Sequence, residues 1–271
     1  MALQLDRLDH FIMAVPDLDA AYAPLTRLGL TVSPPGPASD AGVESCAFFV
    51  GGLANFVSVE FLAGIADADD GAYLLGFAVD DLAAAREAFG AQLGGFDESV
   101  ARVLDNQEIK TLRPKDTSAA GCSFVVLEYP PALIAMQESI TQTGSDFPLQ
   151  RIDHLAIIPP DMEAGTRYWT DVLGVPLHDE LQGSGFTIRQ MKVGDLMVEL
   201  LAPSGPDSPI AGAAPGMRSM IACEVDDVAA CVALARERGF TIGDPGPGPL
   251  PGTLVATIAP DEIAGLAIQL L

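Results

Sequence analysis

The chain has 271 residues, 49% of them hydrophobic, and 14 Lys+Arg against 37 Asp+Glu give a formal net charge of −23. That apolar content buries one large core or two smaller ones and excludes overall disorder. The charge excludes nucleic acid and anionic lipid as partners unless a basic patch exists, and none does: the lysines are Lys110, Lys115 and Lys192, and the arginines are scattered.

The opening MALQLDRLDHF lacks a basic-then-apolar leader, so a cytoplasmic location is expected. Residues 8–22, LDHFIMAVPDLDAAY, recur as IDHLAIIPPDMEAGT at 152–166, an offset of 144 residues. A shorter repeat lies inside each half, since VPDLDAA at 15–21 resembles VDDLAAA at 79–85 and PPDMEAG at 159–165 resembles VDDVAAC at 225–231. Four units therefore begin near residues 5, 71, 150 and 217.

The first unit opens with the apolar strand Leu8 to Val15, followed by Asp17 as a helix cap and a helix that Pro24 should bend before it stops at Leu28-Gly29. Ser45 to Val50 and Phe56 to Leu62 read as its strands. The longest apolar stretch, between Glu44 and Glu60, is broken by Gly51-Gly52 and is too short to span a bilayer as one helix. In the second unit Asp81 caps a helix whose Leu82, Ala85 and Phe89 keep helical spacing, and Gly121 to Tyr129 supplies a strand. Pro130 to Gln150 reads as a linker with a short helix.

Asp161 begins the third unit's helix, Leu173-Gly174 ends it, and strands follow at Phe186 to Met191 and Leu196 to Leu201. Asp227 and Arg238-Gly239 bracket the last helix. DPGPGPLPG at 244–252 lacks the Lys-Ser/Thr ending of a phosphate loop and reads as a proline-stiffened connection. Cys46, Cys122, Cys223 and Cys231 have no CxxC spacing and read as buried thiols. Tyr168 and Trp169 read as core, His178 as an exposed turn or strand start, and Ser45 and Ser204 lack a histidine at catalytic spacing.

Strand alternation places His10 with Leu8, Ile12 and Ala14, and His154 with Ile152, Ala156 and Ile158. Glu60 shares a face with Phe56, Ser58 and Leu62, Glu199 with Met197 and Leu201, and Glu128 with Phe124 and Val126, while Gln269 is expected at the place matching Glu128. A strand histidine alone reads as a satisfied core or rim residue. The recurring set marks an inherited polar site, because a carboxylate on an apolar face is costly to bury without a partner.

The LDH…VPDLDAA opening, the VE-[FL]-LA strand and the VDDLAAA opening resemble the vicinal oxygen chelate (glyoxalase/bleomycin-resistance/extradiol-dioxygenase) superfamily over nearly the whole chain. The resemblance implies an α+β fold of four tandem βαβββ modules forming two curved, partly open mixed-sheet barrels. The domains expected are residues 1–130 and 150–271, joined by a linker at 131–149. It also implies metal ligands projecting inward: His10, Glu60 and Glu128 in the N-terminal half, with His154, Glu199 and Gln269 as the second candidate set. The histidine common before the second module's VDD is replaced by Leu74 and Met220, which argues against an extradiol dioxygenase, whose iron needs two histidines and a carboxylate.

The N-terminal set, with two carboxylates, is the preferred site for Mg²⁺, Mn²⁺, Ni²⁺ or Zn²⁺. The expected function is glyoxalase-like lyase, isomerase or epimerase chemistry on a carbonyl-containing small molecule, with Glu128 or Glu60 as the base. The alternative is a metal-free binding protein of the drug-sequestering, resistance type. A homodimer is compatible with either.

Overall fold

A computed structural model describes residues 5–38, 42–51, 56–65, 70–92, 94–103, 107–133, 145–183, 185–248 and 252–271. The N-terminal half runs β1 (Arg7–Ala14), α1 (Asp19–Leu28), β2 (Gly36–Pro37), β3 (Glu44–Val50), β4 (Val57–Ala63), β5 (Gly71–Ala78), α2 (Leu82–Gln92), β6 (Phe96–Val103), β7 (Gln107–Pro114) and β8 (Phe124–Glu128). The C-terminal half runs β9 (Arg151–Ile158), α3 (Met162–Arg167) with a π-helical turn at Tyr168–Val172, β10 (Leu177–Gly183), β11 (Phe186–Val193), β12 (Leu196–Pro203), β13 (Gly216–Glu224), α4 (Val228–Glu237), β14 (Gly246–Pro247), β15 (Leu254–Ile258) and β16 (Ala267–Leu270).

The strands form two eight-stranded sheets with the same order: β2-β3-β4-β1-β5-β8-β7-β6, then β10-β11-β12-β9-β13-β16-β15-β14. Each module's helix carries the chain back so that its last strand lies parallel to its first, as in β1 with β4 and β13 with β16. The remaining pairs joined by short connections are antiparallel, as in β3 with β4 and β11 with β12. The result is the expected α+β arrangement of four βαβββ modules.

The aspartates perform the expected work at the helix starts. Asp161 accepts from Ala164 N at 2.7 Å, Asp227 from Ala230 N at 3.0 Å, and Asp81 from Ala83 N and Ala84 N at 2.9 and 3.1 Å. Asp17 stands one residue outside the cap position and accepts from Asp19 N. α1 continues through Pro24, and Gly29, Gly174 and Gly239 take the left-handed conformation that ends three of the helices. Most of the expected linker helix lies outside the described residues. No helix among the described residues is long and apolar enough to cross a membrane.

Contacts divide the chain into two compact units that interleave the halves. One comprises residues 1–9, 74–134 and 154–218. Its core sets Phe77 edge-on to both Phe124 and Trp169, and Phe124 edge-on to Phe89 and Tyr168. Trp169 Nε1 donates to Ala120 O at 3.2 Å and Tyr168 Oη to Asp116 O at 3.1 Å, so neither polar tip is stranded.

The other unit comprises residues 10–73, 135–153 and 219–271. Here Arg27 lies over the Phe240 ring at 4.4 Å, Arg238 donates to Leu28 O at the end of α1, and buried Phe147 donates its N–H to Gly29 O. The four cysteines are free and buried. Burial pushes Cys122 up to about 12, leaving it a poor nucleophile.

Candidate functional site

In modules one and three the strands have one sealed face and one partly open face. In module one the sealed face carries Phe11, Met13, Cys46, Phe48, Val59 and Phe61, all without solvent exposure. His10, Ser58 and Phe49 lie side by side on the other face, as do Ile12, Glu60 and Ala47. Phe49 stacks on Phe56 with ring centroids 5.0 Å apart. Burial, then the charges of Glu60 and Asp19, push the Cys46 thiol up to about 11.

Module three repeats this frame with different side chains. Arg189 points toward α3, bonding Glu163 and Thr166, so the odd-numbered positions of β11 face the helix. Gln190, Glu199 and Ala156 therefore share a row on the opposite face, and Lys192, Met197 and His154 share the next. His154 Nε2 lies 3.8 Å from Glu199 Oε2, while Gln190 Nε2 donates to Glu199 Oε1 at 2.9 Å. Glu199 is 8% exposed and is one of only three buried polar residues among those described, with Asp9 and Ser208. The buried carboxylate thus has one oxygen bonded by an amide and the other turned toward an imidazole.

Glu128 shares a face with Phe124 and Val126, as alternation indicates, but Phe124 packs on Phe89, which places that face against α2. Its Oε2 accepts from Leu82 N at 3.1 Å and serves the first turn of α2. Nor does it correspond to Gln269. Leu75 pairs with Phe124 and its repeat partner Ile221 with Ile268, which makes Val125 the counterpart of Gln269. Gln269 pairs with Ala222 and Thr257. His178 lies exposed on β10.

Among the described residues no three His, Cys, Asp or Glu side chains gather as a divalent ion requires. His154 and Glu199 offer two strong donors, so this donor set falls short of a resident metal centre. Sequence reasoning missed Gln190. The signal was present, because a two-residue Gly194-Asp195 connection sets Val193 opposite Leu196 and so Gln190 opposite Glu199.

The family model described as the Glyoxalase/Bleomycin resistance protein/Dioxygenase superfamily matches residues 151–270, which hold the His154, Glu199 and Gln190 cluster. The chain is 28% identical over 142 residues to the mitochondrial methylmalonyl-CoA epimerase of Mus musculus, covering 49% of this chain and 79% of the relative. It is 31% identical over 131 residues to an ethylmalonyl-CoA/methylmalonyl-CoA epimerase of Cereibacter sphaeroides, covering 44% and 96%. A mutant 4-hydroxymandelate synthase from Streptomyces coelicolor shares the fold over 99% of this chain and 92% of its own, with a TM-score of 0.63 at 17% identity. With the tandem modules, the sheet order and these matches together, the chain belongs to the glyoxalase/bleomycin resistance protein/dioxygenase superfamily.

Proposed function

We propose that the C-terminal half binds a small carbonyl-containing acid and moves a proton on the carbon beside the carbonyl, an isomerase- or epimerase-type reaction. The observation that carries this reading is the buried Glu199 carboxylate with Oε2 3.8 Å from His154 Nε2. Glu199 Oε2 takes the proton as the C–H bond breaks, and the electron pair moves onto the carbonyl oxygen. His154 Nε2, as an N–H donor, hydrogen-bonds the oxygen that gains charge; return of the proton to carbon completes the exchange.

Lys192 stands in the same row as His154, separated from it by Met197, and gives the open face a cation for a substrate carboxylate. The epimerase relatives make methylmalonyl-CoA one compound to try. The net charge of −23 favours smaller acids over a polyanionic coenzyme thioester.

The test is incubation of the full chain in D₂O with short 2-oxo and 3-oxo acids and with methylmalonyl-CoA, each with and without Mg²⁺, Mn²⁺, Ni²⁺ or Zn²⁺, read by mass spectrometry. Enzyme-dependent deuterium uptake that Glu199→Gln abolishes is the expected result. Uptake from none of the compounds overturns the reading. A second reading, a metal-free small-molecule binding protein, is favoured by Leu74, Met220 and the two-donor set. It predicts saturable calorimetric binding without exchange.

A further inference from the structure

We infer that Gln190 is a positioning residue for this chemistry: its Nε2 holds Oε1 of Glu199 so that Oε2 alone is presented beside His154. The inference rests on the proton-transfer reading of the C-terminal half. Glutamate has a rotatable carboxylate, and a buried one settles toward whatever donors surround it. The 2.9 Å bond from Gln190 occupies one oxygen, and His154 lies 3.8 Å from the other. An amide donor fixes orientation without a formal positive charge, which would stabilise the carboxylate anion and weaken it as a base. The guanidinium next in sequence cannot intrude, because Arg189 projects from the opposite face and is engaged by Glu163 and Glu180.

The N-terminal half supplies an internal contrast. Glu60 sits between Ile12 and Ala47 in register, as Glu199 sits between Ala156 and Gln190. Ala47 has no side-chain donor to offer. In the next row His10, Ser58 and Phe49 stand where the C-terminal half has His154, Met197 and Lys192. The histidine and glutamate persist in both halves, whereas Gln190 and Lys192 of the second half stand where the first has Ala47 and Phe49. The two halves thus differ at the residue across the strand pair from the glutamate.

Crystal structures of the full chain test this without a substrate. Wild type is expected to show Glu199 in one conformer, whereas Gln190→Met, which keeps the length and removes the donor, should show two or more with the His154 to Oε2 distance spread. An unchanged, single Glu199 conformer in Gln190→Met overturns the inference.

On any acid that wild type exchanges in D₂O, Gln190→Met should lower kcat by on the order of 10- to 100-fold with little change in KM. Equal kcat would also overturn it. If wild type exchanges none of the acids, the proton-transfer reading fails, and the crystal structures still decide whether Gln190 orients Glu199.

Discussion

Tyr129 Oη donates to Oδ2 of Asp9 at 2.6 Å, while Arg7 Nη1 reaches Oδ1 of the same carboxylate at 2.7 Å. Asp9 is 2% exposed, so these donors take the place of water at its carboxylate. Arg151 and Asp153 repeat the Arg-X-Asp spacing in the C-terminal half at 3.0 Å, but that aspartate is 28% exposed. Tyr129→Phe should therefore destabilise the protein by about 1–3 kcal/mol. Urea unfolding followed by the fluorescence of Trp169, the single tryptophan, reads this directly, and an unchanged midpoint would show that the tyrosine hydroxyl adds nothing to the other partners of Asp9.

Gly121 follows a 3₁₀ turn at Ser118–Ala120 with φ +77°, and a Cβ there would stand 2.8 Å from Ile157 Cγ2 and 2.9 Å from Pro159 Cα. Backbone strain and overpacking act together, so Gly121→Ala should cost about 2–5 kcal/mol. Gly212, also at positive φ but with nothing within 4 Å of such a Cβ, isolates the backbone contribution, and Gly212→Ala should cost about 1 kcal/mol. Equal losses in thermal unfolding would contradict the close approach at Gly121.

The modules, the caps and the glycine stops were legible because each carries a local signal that tertiary structure has no reason to overturn. The β6–β7 hairpin and β10 were not. β10 reads LHDELQG and is exposed at six of its seven positions, so no apolar alternation betrays it, and β6 likewise carries Asp97, Glu98, Ser99 and Val100 in solvent. At the candidate site, alternation correctly grouped Glu128 with Phe124 and Val126. It could not tell which face would meet α2, and that decides whether a strand carboxylate caps a helix or faces the open side.

Glu163 of α3 and Glu180 of β10 both bond Arg189. The hydrogen bond from Arg189 and then its charge hold the Glu163 carboxyl below its ordinary value of 4.5. A carboxylate lowered in the folded state binds fewer protons there than in the unfolded chain. Its contribution is therefore fully present above about pH 4.5 and lost as pH falls through the lower folded value. Glu163→Gln should remove part of the acid-side loss of stability and change little at pH 7, since Glu163 is exposed and salt screens the pair. Chemical denaturation between pH 3 and 7 measures it, and an unaltered acid limb in Glu163→Gln would assign that loss to other carboxylates.

Glu128 and Glu199 both stand on strands beside a helix or an open face, and their substitution should separate stability from function in opposite senses. Glu128 Oε2 receives the Leu82 N–H at the start of α2, where Asp81 already receives those of Ala83 and Ala84. Glu128→Ala should cost about 0.5–2 kcal/mol, in the range of a lost N-terminal cap, and leave ligand binding or proton exchange in the C-terminal half intact. Glu199 is buried, with an amide donating to one carboxylate oxygen and an imidazole nitrogen 3.8 Å from the other. Glu199→Gln removes the carboxylate charge while keeping the shape, so the variant should be as stable as wild type or more stable by about 0.5–2 kcal/mol while losing exchange or binding. Thermal unfolding paired with calorimetric titration of the exchanging acid decides the matter: a Glu199→Gln chain that loses stability but still binds and exchanges would make Glu199 a structural partner of Gln190 and His154, and the site would have to be sought elsewhere.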